Sequence, residues 1–429
     1  MFRTAFDHSW KKWAVLFLAS QNVSLFGSTV TGLAIIWHVT LETSSGVWMT
    51  LIVLASMLPQ VCISLWGGVW ADRYNRKYLI MAADGGIALA TLLLALVYMA
   101  GYESLELLLA VAAVRSLGSG IQSPAVNAVI PQIVPQASLT RFNGINQSLN
   151  AAMQLLAPAV GGLVLAAFGL VWAFMLDVAT AAAAIAILRF IPISGVAAGK
   201  ESGSAWGELK EGFSYAWRRP LLKQLIICYG VSFILITPAA FLTPIMLERS
   251  FGNDVWLLTI HEVVWTVGML VGGAYIAWKG AFKDKLAVIA YTLVGFGLAF
   301  ACLGMAPNFT IYLVFMGLSG LLLPFFTTAE TVLIQETVEP AMMGRVFSIL
   351  QITALTAMPI AMLGFGPLAD TVRIEGILIV TGVMLALVGI VFSRVSSRTG
   401  GTGRTGKADE KGGARPARLK TRKNGGPQA

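Results

Sequence analysis

The chain has 429 residues, of which 57% are hydrophobic and only 12% charged. Soluble domains carry about 25% charged residues, so a chain this apolar cannot cover its own surface with polar groups, and lipid must be the solvent for much of it. The net charge of +9 would suit a nucleic-acid binder in a soluble protein. Here the basic residues sit in loops and a tail, so a bilayer is the expected partner and nucleic acid is not.

A bilayer-crossing helix needs roughly 20 mostly apolar residues. Segments of that kind cover 13–40, 45–71, 78–100, 105–130, 143–167, 169–190, 221–247, 255–278, 285–305, 308–334, 347–369 and 374–393. The first begins after Lys11 and Lys12 and is too long for the apolar region of a cleavable signal, so it is expected to act as its own anchor. The interior Gly and Pro residues are compatible with membrane helices, because neighbours or water satisfy the freed carbonyls. Between the sixth and seventh spans, 191–220 carries Gly195, Gly199 and Gly203, then an amphipathic piece from Trp206 to Trp217. That composition predicts a linker followed by a helix lying at the membrane surface. After the last span the chain turns basic and Gly-rich, and residues 394–429 are expected to be disordered.

The predicted class is therefore all-α: a polytopic membrane protein with twelve transmembrane helices in two six-helix pseudo-repeats. Residues 1–190 form the first half, 191–220 the linker and 221–393 the second half. Lys and Arg fall almost wholly on one side. Arg73, Arg76, Lys77, Arg141, Lys279, Lys285, Arg345 and the tail share it, whereas Arg249 and Arg373 stand opposite. That asymmetry predicts cytoplasmic termini and a cytoplasmic linker.

The duplication is also written in spacings. Gly67-Gly68 and Gly272-Gly273 lie 205 residues apart, each pair near the same end of a span. Ile130, Val134, Ala137 and Arg141 recur as Ile334, Val338, Ala341 and Arg345 at a spacing of 204. Paired repeats place a substrate site between the halves near the midplane and permit rocking access from either side.

The loop between the second and third spans reads Gly68-Val69-Trp70-Ala71-Asp72-Arg73-Tyr74-Asn75-Arg76-Lys77. It resembles the signature G-x-L-A-D-R-x-G-R-K of the major facilitator superfamily. Gly68, Ala71, Asp72, Arg73, Arg76 and Lys77 match, Trp70 replaces Leu, and Asn75 replaces the second Gly. Asn tolerates the left-handed backbone that such a glycine would adopt. Gly68 is expected to permit close helix contact, and an anion at Asp72 suits the N-terminus of another helix. The resemblance implies that Asp72 latches the halves on the basic side, against the start of the eleventh span near Val346 and Phe347.

Further patterns narrow the likeness. Ser24-Leu25-Phe26-Gly27-Ser28, Arg115-Ser116-Leu117-Gly118-Ser119-Gly120, Phe142-Asn143-Gly144, Gln147-Ser148 and Gly344-Arg345-Val346 resemble the drug-exporter branch containing macrolide efflux proteins and enterobactin exporters. Pro158 with Gly161 and Gly162 is similar to the end of the antiporter motif of the fifth span. Ala151, Ala152 and Ala157 replace upstream glycines, so a generic packing helix remains the alternative.

Ionisable residues inside spans are costly and default to functional hypotheses. Arg115 lies ten residues into the fourth span, and the resemblance implies a part in substrate or proton coupling; a structural pair is the alternative. Glu262, in the eighth span, is the candidate proton-carrying carboxyl, since an acid in apolar surroundings is cheaper neutral than ionised. The two are expected to face each other across the central cavity. Glu330 lies about one turn from the end of the tenth span, and either contributes to coupling or pairs with Arg345. Asp84 is expected to pair with the basic loop, and Asp177 has no evident partner. The first span holds no acid before Glu42. Trp37, Phe233, Phe241, Trp265, Phe325 and Phe326 line a greasy pocket or pack the core.

Cys62, Cys228 and Cys302 lie in apolar runs without CxxC spacing, and His8, His38 and His261 are scattered, so neither a disulfide framework nor a metal site is expected. No phosphate loop, HxxxD or GxSxG with partners is present, so no cofactor and no enzymatic activity are expected. The expected function is proton-coupled efflux of amphipathic small molecules by a monomer. A siderophore or lysophospholipid carrier of the same fold is the alternative.

Overall fold

The computed structural model describes residues 6–193, 205–280, 282–339 and 342–409. The first half contains α1 (Phe6–Thr43), α2 (Gly46–Arg73), α3 (Arg76–Met99), α4 (Leu105–Ile133), α5 (Leu139–Phe168) and α6 (Leu170–Phe190). A connecting helix, α7 (Ala205–Arg218), precedes the second half. That half contains α8 (Pro220–Phe241), α9 (Thr243–Phe251), α10 (Val255–Lys279), α11 (Lys285–Gly304), α12 (Phe309–Thr337), α13 (Met343–Leu368) and α14 (Ile374–Asp409). Among the described residues, twelve spans are long and apolar enough to cross a membrane, with α8 and α9 together making the seventh. The seventh is broken at Leu242, between Pro238 and Pro244, because proline cannot donate to the preceding turn.

Side chains start several of these helices. Ser45, Ser104, Asp254, Asp284 and Asn308 each accept a hydrogen bond from a backbone N–H in the first turn that follows. The turn from α5 into α6 is made by Gly169 at φ +85°, a backbone that side chains resist. Lipid gives no hydrophobic drive between helices, so small residues set their approach. Gly67 meets the backbone of Gly120, Gly268 that of Gly317, and Gly297 that of Gly382, in each case with no room for a Cβ.

The repeat is visible in detail. Gly67 packs α2 on α4 and Gly272 packs α10 on α12, while the following residues, Gly68 and Gly273, both look into open space. Val134 ends α4 by donating its N–H to Ile130, and Val338 ends α12 by donating to Ile334. The close contact expected of Gly68 is thus made by Gly67. One residue turns a helix by about 100°, which carries Gly68 off the α4 face.

Two main seams join the halves, α2 against α13 and α5 against α10, with smaller contacts of α1 on α9 and α10. Both are tight at the end away from the basic loops. There Gly46 meets the Gly366 carbonyl, Gly366 meets Thr50, Thr50 donates to the Met362 carbonyl at 3.2 Å, and Gly162 meets Thr259. Toward the basic face Gly68, Gly144, Gly273 and Gly344 have nothing within reach of a Cβ. Among the described residues, the cleft between the halves is closed at one face and open at the basic one.

The connecting helix lies against α13 and α8. Glu211 pairs with Arg345 at 3.0 Å, and the Tyr215 hydroxyl accepts the N–H of Glu339 at 3.2 Å. Phe213 and Trp217 stack at 5.1 Å on its exposed side. Residues 194–204, with Gly195, Gly199 and Gly203, lie outside the described residues. The last helix continues to Asp409, so the disorder expected from 394 is not found over 394–409; extending an existing helix adds a bond per residue without a new nucleus. Residues 410–429 lie outside the described residues.

Candidate functional site

Helix α5 supplies the lining of the open cleft. Asn143, Asn146, Gln147, Asn150 and Gln154 follow a helical period and project within an arc of about 100°. Ile145, Leu156 and Leu163 are exposed on the opposite side, as a lipid-facing stripe. The five carboxamides thus point inward, yet Asn143, Gln147 and Gln154 are exposed, so they border water-accessible space. Further along this helix Pro158, Gly161 and Gly162 are buried; Gly161 lies on Val30 of α1, and Gly162 on Thr259 of α10, where the cleft ends. Sequence reading noted Asn143 and Gln147 only as family patterns. The spacing i, i+3, i+4, i+7, i+11 was the signal that could have found all five.

Glu262 lies one turn beyond Thr259. On α10 the exposed residues Trp256, Ile260, Val267 and Val271 form the lipid stripe, and Glu262 projects from the other side. Its side chain is 30% exposed, at the closed end of the cleft. Behind it His261 is buried, with Nε2 4.0 Å from the Glu262 carboxylate and Nδ1 2.8 Å from the Tyr312 hydroxyl.

Arg115 does not face Glu262. It is buried inside the first half, where it pairs with Asp177 of α6, donates to Thr91 at 2.6 Å and reaches the Ser28 carbonyl at 3.2 Å. Ser28 and Thr91 also donate to Asp177, which gives that residue the partners its sequence did not reveal. An unpaired guanidinium at this depth would be costly, and α6 supplies its counter-ion from within the bundle. Asp84 does not pair with the basic loop; it is buried between Ser24 of α1 and Gln122 of α4. Glu330 is buried with one oxygen unpartnered among the described residues. It does not pair with Arg345, which is held by Glu211 instead. Of the aromatic candidates, Trp37 and Phe326 are core, and Phe233, Phe241, Trp265 and Phe325 are half-buried.

In the signature loop, Arg76 donates to the carbonyls of Ala71 and Ala128 at 2.8 and 2.9 Å. Lys77 donates to those of Arg189 and Ile191 at 2.6 and 2.9 Å. Cations thus close the carbonyl ends of α2 and α6 and bridge to α4, where the helix dipole favours them. Asn75 is extended at φ −65° rather than left-handed, and caps α3 by accepting the Lys77 N–H at 3.1 Å. An N-cap needs extended backbone and a short acceptor, which Asn supplies and Gly does not. Arg73 is exposed, and the side chain of Asp72 lies outside the described residues.

The closed face carries a latch that sequence reading missed. Asp370, after α13, accepts the N–H groups of Gly46 at 2.6 Å and Val47 at 3.0 Å, and the Ser45 hydroxyl at 2.9 Å. Arg249 at the end of α9 pairs with Asp370 at 3.2 Å, and donates to the carbonyls of Ala369 and Ser44. An anion from the second half thereby sits on the N-terminus of a helix in the first. Partial burial alone would lift the Asp370 pKa. The donors at Gly46, Val47, Ser45 and Arg249 outweigh it and hold the carboxyl below its ordinary 3.8.

Residues 7–409 match the family described as transmembrane secretion effector. The chain belongs to this family of the major facilitator superfamily. Its relatives are transporters of the drug-exporter branch. Macrolide efflux protein A of Streptococcus pyogenes is 28% identical over 389 residues, covering 90% of this chain and 96% of that protein. The multidrug efflux pump Tap of Mycolicibacterium fortuitum is 21% identical over 376 residues, covering 85% and 91%. Among solved structures, a bacterial homologue of the iron transporter ferroportin, in an inward-facing state, superposes with a TM-score of 0.68. It covers 89% of this family member and 98% of that chain at 16% identity, and so speaks for the fold. The family member is a multi-pass membrane transporter.

Proposed function

We propose that this transporter exports neutral or cationic amphipathic molecules, macrolides among them, in exchange for protons. The observation that carries the reading is the cleft: five carboxamides along its wall, and Glu262 at its closed end. Primary amides donate and accept hydrogen bonds without charge, which suits large substrates rich in hydroxyl and carbonyl groups. The 28% identity to macrolide efflux protein A supports the same class.

The excess of Lys and Arg at the open face supports a cytoplasmic location for that face and both termini. The structure then represents the state that takes up substrate from inside the cell. Glu262 is the coupling carboxyl in this scheme. Protonated, it is neutral in an apolar roof; ionised, it needs a cationic substrate or water. Arg115 acts at a distance, as the partner of Asp177 that keeps α4 joined to α6. Asp72 closes the open face when the halves rock, and a single chain completes the cycle.

Inverted membrane vesicles loaded by a pH gradient test the scheme. Glu262→Gln is expected to abolish gradient-driven uptake of erythromycin while gradient-free counterflow persists. Full gradient-driven uptake by that variant would remove Glu262 from the mechanism.

A further inference from the structure

Among the described residues, the first half holds two buried carboxylates and one buried guanidinium, stacked in two levels on the same helices. At the level nearer the closed face, Asp177 has every oxygen partnered, by Ser28, Thr91 and Arg115. Seven residues away on both α3 and α4, and four on α1, stands the second level of Asp84, Gln122 and Ser24. Seven residues along a helix span about 10 Å.

The two carboxyls are treated very differently. Asp84 is 2% exposed and has no cationic partner among the described residues. Gln122 at 2.6 Å and Ser24 at 3.1 Å both donate to Oδ1. Oδ2 is buried and has no hydrogen-bond partner among the described residues. Of the ionisable groups on helices packed against α3, Arg115 and Asp177 are committed to each other, Glu106 lies in the first turn of α4 and Arg189 in the last turn of α6. On α2, Asp72 and Arg73 lie at the basic end and Cys62 is exposed, and α1 presents Ser24 at this level. An ionised carboxylate accepts at both oxygens and requires compensation for its charge. One proton on Oδ2 removes the charge, the larger of the two costs, and brings the three-residue cluster to neutrality.

We propose that Asp84 is a proton-binding site of the first half and carries a coupling proton, in addition to Glu262 in the second. This rests on the proton-exchange reading above. The O–H bond at Oδ2 forms with a proton from water on one side of the membrane and breaks to water on the other. Gln122 is half-buried, so the edge of the cluster reaches accessible space in the half of α4 toward the open face. Because both levels span α3 and α4, a slide of these helices during rocking alters the Asp84 cage and its access together.

Two measurements test this on the full chain. In purified protein carrying Glu262→Gln and Glu330→Gln, the infrared C=O stretch of a protonated carboxyl is expected, and adding Asp84→Asn should remove it. A band absent at the start, or unchanged by Asp84→Asn, overturns the proposal. In inverted vesicles, Asp84→Asn alone should lose gradient-driven erythromycin uptake and keep counterflow, as a permanently neutral site would. Wild-type-level gradient-driven uptake by Asp84→Asn overturns the coupling role. Should wild-type protein itself ignore the gradient, the exchange reading fails, and with it that role; the infrared band then still decides whether Asp84 holds a proton.

Discussion

The two ends of α2 are held in opposite ways. Its first turn, at Gly46 and Val47, is gripped by Asp370 and Arg249 from the other half, with Gly366 in backbone contact. Toward its last turns, Gly67 meets only α4 of its own half and Gly68 has nothing within reach of a Cβ. Each end is built for the same device, an acid from one half set on a helix N-terminus of the other. At the closed face the acid is Asp370 and the helix is α2; at the open face the expected acid is Asp72 and the helix α13. A rigid helix of about 42 Å cannot satisfy both at once, so occupancy of one latch implies release of the other. In the proposed cycle, alternating access is an exchange between two helix caps.

That comparison presumes halves that move as solid bodies, and the Arg115–Asp177 pair tests the presumption with the largest expected effect. Arg115→Ala strands a carboxylate inside the bundle and should lower unfolding stability by about 3–5 kcal/mol. Arg115→Met with Asp177→Leu should regain most of it. Unfolding of purified protein in denaturing detergent reads the difference, and an Arg115→Ala variant as stable as wild type would show that the pair does not bind α4 to α6.

The closed latch comes next. Take Thr50→Cys, in a background without Cys62, Cys228 and Cys302, as a reporter at the closed seam. Asp370→Asn should speed its labelling by an impermeant maleimide. The sign with pH follows from the lowered pKa: Asp370 binds protons less readily when latched, so the latch is at full strength above the ordinary carboxylate range. It weakens as pH falls through 3.8 toward the lowered value, and labelling should accelerate there in wild type but not in Asp370→Asn. Equal labelling in both proteins at neutral pH would discard the latch.

The smallest effect is expected at the open face. Asp72→Asn should slow transport without changing protein level, and should slow labelling of the same Thr50→Cys reporter, because the open-face state is favoured. Faster labelling would mean that Asp72 and Asp370 do not oppose one another.

The spans, the two halves and the signature loop were legible because each is local: a long apolar run, a repeated spacing, ten consecutive residues. What escaped the sequence is what the fold brings together. Asp370 meets Gly46 across 324 residues, and Arg115 meets Asp177 across 62. No pattern along the chain distinguishes those partners from Glu262 or Arg345. Asp84 was assigned to the basic loop on proximity in sequence, yet its direction on α3 sends it between α1 and α4. The amide face of α5 is the opposite case: its helical period was in the sequence throughout.

The uncharged wall of the cleft has a kinetic meaning. Carboxamides neither gain nor lose protons across the physiological range, so the wetting of α5 and its hold on a neutral substrate are silent to acidity. Any change of apparent affinity with pH must then originate in the titratable groups outside that wall, Glu262 and His261 among them, or in the substrate itself. A pH profile of transport, taken with a substrate that does not titrate, is therefore a direct record of those groups.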